Sequence, residues 1–137
     1  MGRWLLKTEP EDWSWEDQCA RGEAGESWTG VRNAAARLRL KDMGKGDLAF
    51  FYHTGKEKRI VGIVEVIRTA YPDPTDPDGQ WVAVDVIARE ALPRPVTLEA
   101  IRTDPELADM VLVRQSRLSV QPVTTEEWAR VIALSES

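Results

Sequence analysis

Residues 47–70 read DLAFFYHTGKEKRIVGIVEVIRTA, a stretch that indicates two antiparallel strands joined by a short turn. In the first strand, residues 47–54, side chains alternate between two faces, and these faces differ in polarity only toward the C-terminal end of the strand. The second strand, residues 59–70, is rich in Val and Ile on both faces, which is typical of a strand inside a sheet. The glycine-containing segment 54–58 predicts the hairpin-like turn between them. The stretch therefore places a sheet at the centre of the fold.

The flanking sequence adds further strands, short helices and loops, as judged from periodicity, caps and chain breakers. The expected strands cover residues 3–7, 47–54, 59–70 and 80–89. The expected helices cover residues 14–20, 33–43 and 97–102, and a last helix follows the capping box of Thr124 and Glu127. Residues 21–27 and 72–79 are expected to be loops. Together they predict an α+β chain in which short helices surround a small, strongly curved sheet or barrel.

Length and composition limit the class of protein. The 137 residues fit one domain, and a single cysteine excludes an internal disulfide framework and a Cys-rich metal site. No apolar run approaches the length of a membrane span, and the N-terminal apolar stretch is too short for a signal peptide. We therefore expect a single domain over residues 1–137, a cytoplasmic location and no membrane partner.

The charge distribution favours a partner that is bound at one place. The net charge is −5, which argues against broad, non-specific nucleic-acid binding. Residues 30–60, however, carry eight basic and three acidic side chains, a local excess of +5. Such a segment is either a solvated face or a local basic patch that contacts a negatively charged ligand.

Residues 28–33 read Trp28-Thr29-Gly30-Val31-Arg32-Asn33 and suggest a ligand site. An indole face, a glycine turn with free backbone N–H groups and a planar guanidinium are suited to binding a flat polar heterocycle. Stacking on an aromatic face is worth roughly 1–3 kcal/mol per nucleobase. The structural alternative is a core tryptophan beside a helix N-cap.

Support for enzymatic chemistry is thin. The sequence contains no phosphate loop, no His/Cys metal spacing and no nucleophile elbow, so neither a metal nor a cofactor is expected. His53 is the only histidine and is expected to be structural. Glu65 and Asp85 interrupt apolar strands and are expected to pair with an arginine or with backbone N–H groups. The chain is therefore expected not to be an enzyme.

Five sequence blocks, taken in order, resemble those of the EVE domain family of the PUA-like superfamily. The blocks are residues 7–10 (KTEP), 28–33 (WTGVRN), 46–53 (GDLAFFYH), 70–74 (AYPDP) and 114–123 (RQSRLSVQPV). The resemblance extends from about Arg3 to Ile132. It implies a PUA-like fold, a curved, barrel-like mixed sheet flanked by short helices.

The resemblance also implies a reader of modified bases. EVE domains are similar to YTH domains, which hold a methylated adenine in an aromatic cage, and are associated with modified cytosines in DNA, with RNA ligands also proposed. Lys7-Thr8 and Trp28-Thr29 stand where YTH domains have a Lys-Ser step and a Trp-Ser step. The other cage tryptophans have no clear equivalent here, so the methyladenine cage is not carried over as a whole.

The predicted mechanism is the insertion of one flipped or single-stranded base into an aromatic pocket. The predicted pocket residues are Lys7, Thr8, Glu9, Trp28, Thr29, Gly30, Asn33, Tyr52, His53 and Tyr71. The predicted phosphate-binding residues are Arg32, Arg37, Arg39 and Lys41. Trp4, Trp13 and Trp15 are expected to serve packing only. A nucleic-acid- or nucleotide-processing enzyme and a protein-interaction module remain as alternatives.

Overall fold

The computed structural model describes residues 2–137, which form six strands, five α-helices and one 3-10 helix over Gly22–Ala24. The strands are β1 (Arg3–Thr8), β2 (Glu26–Trp28), β3 (Leu48–His53), β4 (Arg59–Pro72), β5 (Val82–Thr97) and β6 (Val120–Pro122). The helices are α1 (Trp15–Ala20), α2 (Ala34–Asp42), α3 (Leu98–Thr103), α4 (Val111–Arg114) and α5 (Thr125–Glu136).

The strands form one mixed sheet in the order β2-β5-β4-β3-β1-β6. All neighbouring strands are antiparallel except β1 and β3, which run parallel. Helix α2 contacts both β5 and β6, which lie near opposite ends of this order. A nine-residue helix reaches both strands because the sheet curls around it. The curved, barrel-like mixed sheet with short flanking helices is thus confirmed.

Both faces of the sheet are covered along β3 and the first half of β4, which explains why these segments are almost entirely apolar. Neighbouring residues of a strand point to opposite faces, so Phe51 belongs to the core cluster that contains α2 and Trp28. Phe50 belongs to the second cluster with Ile101 and Met110. Phe50 also stacks on Trp128 of α5 at a ring distance of 3.8 Å, which fixes that helix on the outer face.

Side-chain caps set the helix starts that the sequence predicted. Ser14 with Asp17, and Thr124 with Glu127, form complete capping boxes at α1 and α5. At α2 the Asn33 side chain accepts a hydrogen bond of 2.9 Å from the Ala36 N–H. Each cap satisfies donors that the first helical turn leaves without an intrahelical partner.

Three short elements and the length of β5 differ from the prediction. Strand β2 lies partly in the expected loop 21–27, and α4 and β6 were not predicted, because each is too short to show a period. Strand β5 runs to Thr97 and not to residue 89. Pro93 and Pro95 are tolerated there because the pairing of β4 and β5 is interrupted between Ala91 and Val96.

Candidate functional site

A cleft of about 520 Å³ opens where β1 ends beside β2. Its volume falls in the range of about 300–1,000 Å³ that is usual for small-molecule sites. Its walls come from the end of β1 and the following turn, from β2 and the following turn, and from the residue before β6. They are Lys7, Thr8, Glu9, Asp12, Trp13, Glu26, Ser27, Trp28, Thr29, Gly30, Val31, Arg32 and Ser119.

Two indoles line the cleft, and they differ in how far they are buried. Trp28 is only 7% exposed and packs edge-on against Phe51 at 5.6 Å, so most of its surface belongs to the core. Trp13 is half-buried and donates from Nε1 to Oε1 of Gln18 at 2.9 Å. Gln18 is fully buried and in turn donates to the Val86 carbonyl at 3.1 Å. The Trp13 indole is therefore held in one orientation while part of it stays accessible.

The turn after Trp28 is fixed by a buried carboxylate. Gly30 adopts a φ of 82°, a conformation that favours glycine, and its N–H donates to Oδ2 of Asp73 at 2.8 Å. The same carboxylate accepts from Arg32 and from the backbone and side chain of Thr75. Burial alone would raise the pKa of Asp73, but these hydrogen bonds outweigh it and hold the pKa at about 2. The loop that contains Asp73 thus shapes one rim of the cleft.

The opposite rim is built at the end of β1. The half-buried ammonium of Lys7 donates to the Ser116 carbonyl, and burial lowers the pKa of this lysine. Thr8 donates from Oγ1 to the Trp13 carbonyl at 2.9 Å and so ties the following turn to the strand. The Glu9 carboxylate accepts from Thr54 at 3.0 Å and remains exposed.

The cleft therefore offers hydrogen-bond groups of both kinds. Lys7 and Arg32 supply positive charge, whereas Glu9, Asp12 and Glu26 supply carboxylate acceptors. Such a mixed rim suits a neutral ligand with both donors and acceptors on its edges better than a simple anion.

A hydrogen-bonded group of three side chains lies behind the wall of the cleft. Ser27, which lines the cleft, donates to Asp85 at 3.0 Å and also contacts the Tyr71 hydroxyl. Tyr71 donates to the same Asp85 oxygen. Burial and the hydrogen bond to Asp85 raise the pKa of the Tyr71 phenol, which stays neutral. Asp85 thus bonds to hydroxyls, whereas Glu65 pairs with Arg89, so the expected arginine partner is found only for Glu65.

The structure brings six of the ten predicted pocket residues together and places the other four elsewhere. Lys7, Thr8, Glu9, Trp28, Thr29 and Gly30 line the cleft. Asn33, Tyr52, His53 and Tyr71 do not belong to its walls. The common reason is that each is engaged in a local structural contact.

These four placements correct the prediction individually. Asn33 caps α2, and Tyr71 lies behind Ser27. Tyr52 is buried in the second core cluster, because β3 is an interior strand whose faces are both covered. His53 is also buried; its Nε2 accepts from the Trp15 N–H at 3.0 Å and its Nδ1 lies 2.9 Å from Glu57.

The four predicted phosphate-binding residues divide into two pairs. Arg32 forms a salt bridge with Asp73 and donates to Thr75. Arg37 donates to the Gln80 carbonyl at 3.0 Å and lies 4.9 Å over the Trp81 ring. Both arginines thus hold the loop that follows β4. Arg39 and Lys41 are exposed on α2 and form no salt bridge within residues 2–137.

Sequence reasoning missed several wall residues, of which Trp13 is the most informative. Trp13 was expected to serve packing only, as were Trp4 and Trp15. The N–H groups of Asp12 and Trp13 both donate to the Glu9 carbonyl, so the chain turns back toward the end of β1. The signal available in the sequence was the position of Trp13 directly before the capping residue Ser14. The other missed residues are Asp12, Glu26, Ser27, Val31 and Ser119.

Two further types of site are absent from the part of the chain that the structure describes. Residues 2–137 contain no group of three or more His, Cys, Asp or Glu side chains placed to hold a metal ion. Among the same residues no helix is both long and apolar enough to cross a membrane.

The EVE domain matches residues 2–134, and the chain belongs to this family. Chicken thymocyte nuclear protein 1 is 38% identical over 97% of this chain and 68% of its own length. A solved structure from Rhodopseudomonas palustris is 54% identical, with a TM-score of 0.95 over 99% of this chain and 94% of that one. The human THYN1 protein, solved in complex with 5-methylcytosine containing DNA, is 34% identical, with a TM-score of 0.93 over 100% and 99% of the two chains.

Proposed function

We propose that this chain, acting as one domain over residues 1–137, binds nucleic acid by taking a single modified base into the cleft. The most direct candidate is 5-methylcytosine in DNA. The observation that carries the proposal is a cleft large enough to admit a base, with an accessible, oriented indole and polar groups around its mouth. The likeness to the human THYN1 protein, which was solved with 5-methylcytosine containing DNA, supports the choice of ligand.

Trp13 supplies the accessible aromatic surface of the cleft. A base that leaves its stack loses a few kcal/mol, and stacking on an indole returns roughly 1–3 kcal/mol of it. Trp28 contributes from the floor, where its contact with Phe51 keeps the indole in place. The Gln18 hydrogen bond orients Trp13 before the ligand arrives, so binding requires little further ordering of this side chain.

The carboxylates of the cleft favour a base with an exocyclic amino group. Carboxylates accept hydrogen bonds from the N4 amino group of cytosine, which thymine replaces with an oxygen acceptor. Glu9, Asp12 and Glu26 therefore favour 5-methylcytosine over thymine, although both bases carry a methyl group at C5. The methyl group itself adds about 0.8 kcal/mol when buried, roughly a fourfold preference over cytosine.

We further propose that the cleft binds its ligand without turning it over. Neither histidine nor cysteine is among its wall residues, and both nitrogens of His53 are engaged in structural contacts. Incubation with 5-methylcytosine DNA and with structured RNA, with and without Mg²⁺ or Mn²⁺, is expected to return every strand unchanged by mass spectrometry. Product formation that disappears in Glu9→Gln would instead establish an enzyme.

The cytoplasmic location expected from the sequence remains a prediction. The name of the animal relatives, thymocyte nuclear protein 1, refers to the nucleus.

The decisive experiment measures the affinity of a Trp13 series for a single-stranded oligonucleotide that carries one 5-methylcytosine. Trp13→Ala is expected to weaken binding about 5- to 150-fold, the equivalent of the stacking of one base. Trp13→Phe, which keeps an aromatic face, is expected to retain part of the affinity. Thermal melting of both variants controls for folding. An unchanged affinity in a folded Trp13→Ala protein would exclude the proposed mode of binding.

A further inference from the structure

A second groove, of about 350 Å³, lies next to the cleft, and Asn33 is the one residue of its lining that belonged to the predicted site. It is lined by the start of α2 and by the segment that leads into β6: Asn33, Ala35, Arg114, Gln115, Ser116, Arg117 and Leu118. Its walls are joined to those of the cleft. Asn33 directly follows Arg32, and the Ser116 carbonyl accepts the hydrogen bond from Lys7.

The segment that forms this groove is held in a defined shape from below. Gln121 is fully buried on β6 and donates from Nε2 to the Leu118 carbonyl at 2.7 Å and to the Gln115 carbonyl at 3.4 Å. The Leu118 N–H donates to the Gln115 carbonyl at 3.1 Å, which closes the turn. Arg117 therefore projects from a turn that is fixed before any ligand binds.

The exposed charges around the groove are mostly positive. Arg117 is exposed and has no salt-bridge partner within residues 2–137. Arg114 pairs with Asp109, but both side chains are largely exposed, so this pair is weak and readily exchanged. Arg39 lies four residues after Ala35 and thus on the same face of α2, one turn beyond the groove.

We propose that this groove binds the phosphate backbone of the strand whose base occupies the cleft, with Arg117 as its main contact and Arg39 extending the track. A flipped base remains attached to its own backbone, so flanking phosphates must lie along a surface continuous with the cleft. Guanidinium groups bind phosphate oxygens in a bidentate manner, which suits exposed arginines on a fixed turn. The inference rests on the proposed function and moves the phosphate contacts away from Arg37, which the Gln80 carbonyl and Trp81 already engage.

The test compares an oligonucleotide with a free nucleoside. Arg117→Ala is expected to weaken binding of a single-stranded 12-mer about two- to fivefold, equally with and without one 5-methylcytosine. The slope of log K against log salt concentration should fall by about 0.7 for each phosphate that the variant no longer neutralises. Binding of 5-methyl-2′-deoxycytidine, followed by NMR, should not change, because the nucleoside has no phosphate. Adding Arg39→Ala should reduce both the affinity and the salt slope further.

Arg94→Ala is the matched control, since Arg94 is an exposed arginine on β5 that lines neither cavity. It should leave affinity and salt slope unchanged. If Arg117→Ala binds the 12-mer with unchanged affinity while Trp13→Ala binds it more weakly, the groove does not bind the backbone, and the proposed function is still supported. The opposite result would overturn the proposed function and support the groove: the 12-mer affinity falls in Arg117→Ala, is unchanged in Trp13→Ala, and the free nucleoside does not bind.

Discussion

Replacing Asp73 by asparagine tests how the cleft is held together. The carboxylate is 1% exposed, and each of its oxygens accepts two hydrogen bonds. Oδ2 accepts from the N–H of Gly30 and from Arg32, whereas Oδ1 accepts from the N–H and hydroxyl of Thr75. An amide has a single acceptor oxygen, so in Asp73→Asn the NH₂ group faces two donors, either those of Gly30 and Arg32 or those of Thr75. It also removes the charge that pairs with Arg32.

The magnitude and the pH dependence follow from the pKa of this group. A pKa of about 2 in the folded chain, against the ordinary 3.8, corresponds to about 2 kcal/mol of stability at neutral pH. Because the folded-state pKa is lowered, this stability is present above pH 3.8 and is lost as the pH falls toward 2. About half of it should remain at pH 3. The difference between the wild type and Asp73→Asn should therefore narrow from pH 7 to pH 3.

Urea unfolding followed by tryptophan fluorescence at pH 7, 5 and 3 measures this difference. We expect Asp73→Asn to lower the free energy of unfolding by about 2 kcal/mol at pH 7 and by about half as much at pH 3. It should also weaken binding of the 5-methylcytosine oligonucleotide, since the Gly30 turn is part of the cleft wall. A decrease below about 0.5 kcal/mol at pH 7, or one that does not vary with pH, would refute this role of the Asp73 carboxylate.

Two further substitutions probe the packing behind the cleft. Trp28→Ala is expected to lower the free energy of unfolding by about 3–5 kcal/mol, because Trp28 is a core residue. Trp28→Phe is expected to lower it less. Unchanged stability in Trp28→Ala would show that burial of this side chain contributes little. Gly62→Ala is expected to lower the melting temperature and perturb tryptophan fluorescence, because an added Cβ would lie 2.5 Å from the Trp15 ring. Gly44→Ala is its control, since the nearest atom to an added Cβ there is 3.6 Å away; equal effects of the two substitutions would contradict the steric argument.

Elements with strong local signals were predictable from the sequence, whereas short strands that depend on a partner distant in sequence were not. The capping boxes at Ser14 and Thr124 begin helices as expected, because a cap is a contact between residues three apart. The three-residue strands β2 and β6 exist because β5 and β1 provide partners distant in sequence. The parallel pairing of β1 with β3 is likewise invisible in the local pattern.

The same distinction explains which site residues were predicted. Residues in the blocks that end β1 and follow β2 reach the cleft because the blocks themselves form its two rims. Tyr52 and His53 lie in such a block too, yet β3 is covered on both sides and buries them. Trp13 was missed because its place in the cleft wall depends on a turn toward β1 and on the buried amide of Gln18, and its position before Ser14 marks only the start of a helix.

The distribution of charge fits the proposed binding of a polyanion by a chain of net charge −5. In the proposed mode the carboxylates lie at the cleft, where they meet neutral base edges, whereas Arg117 lines the adjacent groove and Arg39 lies one helical turn beyond it. Few phosphates are then neutralised, so the salt dependence of binding should be shallow compared with that of proteins making about 6–10 phosphate contacts. Affinity must come chiefly from the base in the cleft. The acidic remainder of the surface repels every strand equally, so it reduces non-specific binding along the protein and leaves the cleft as the place where a strand is held.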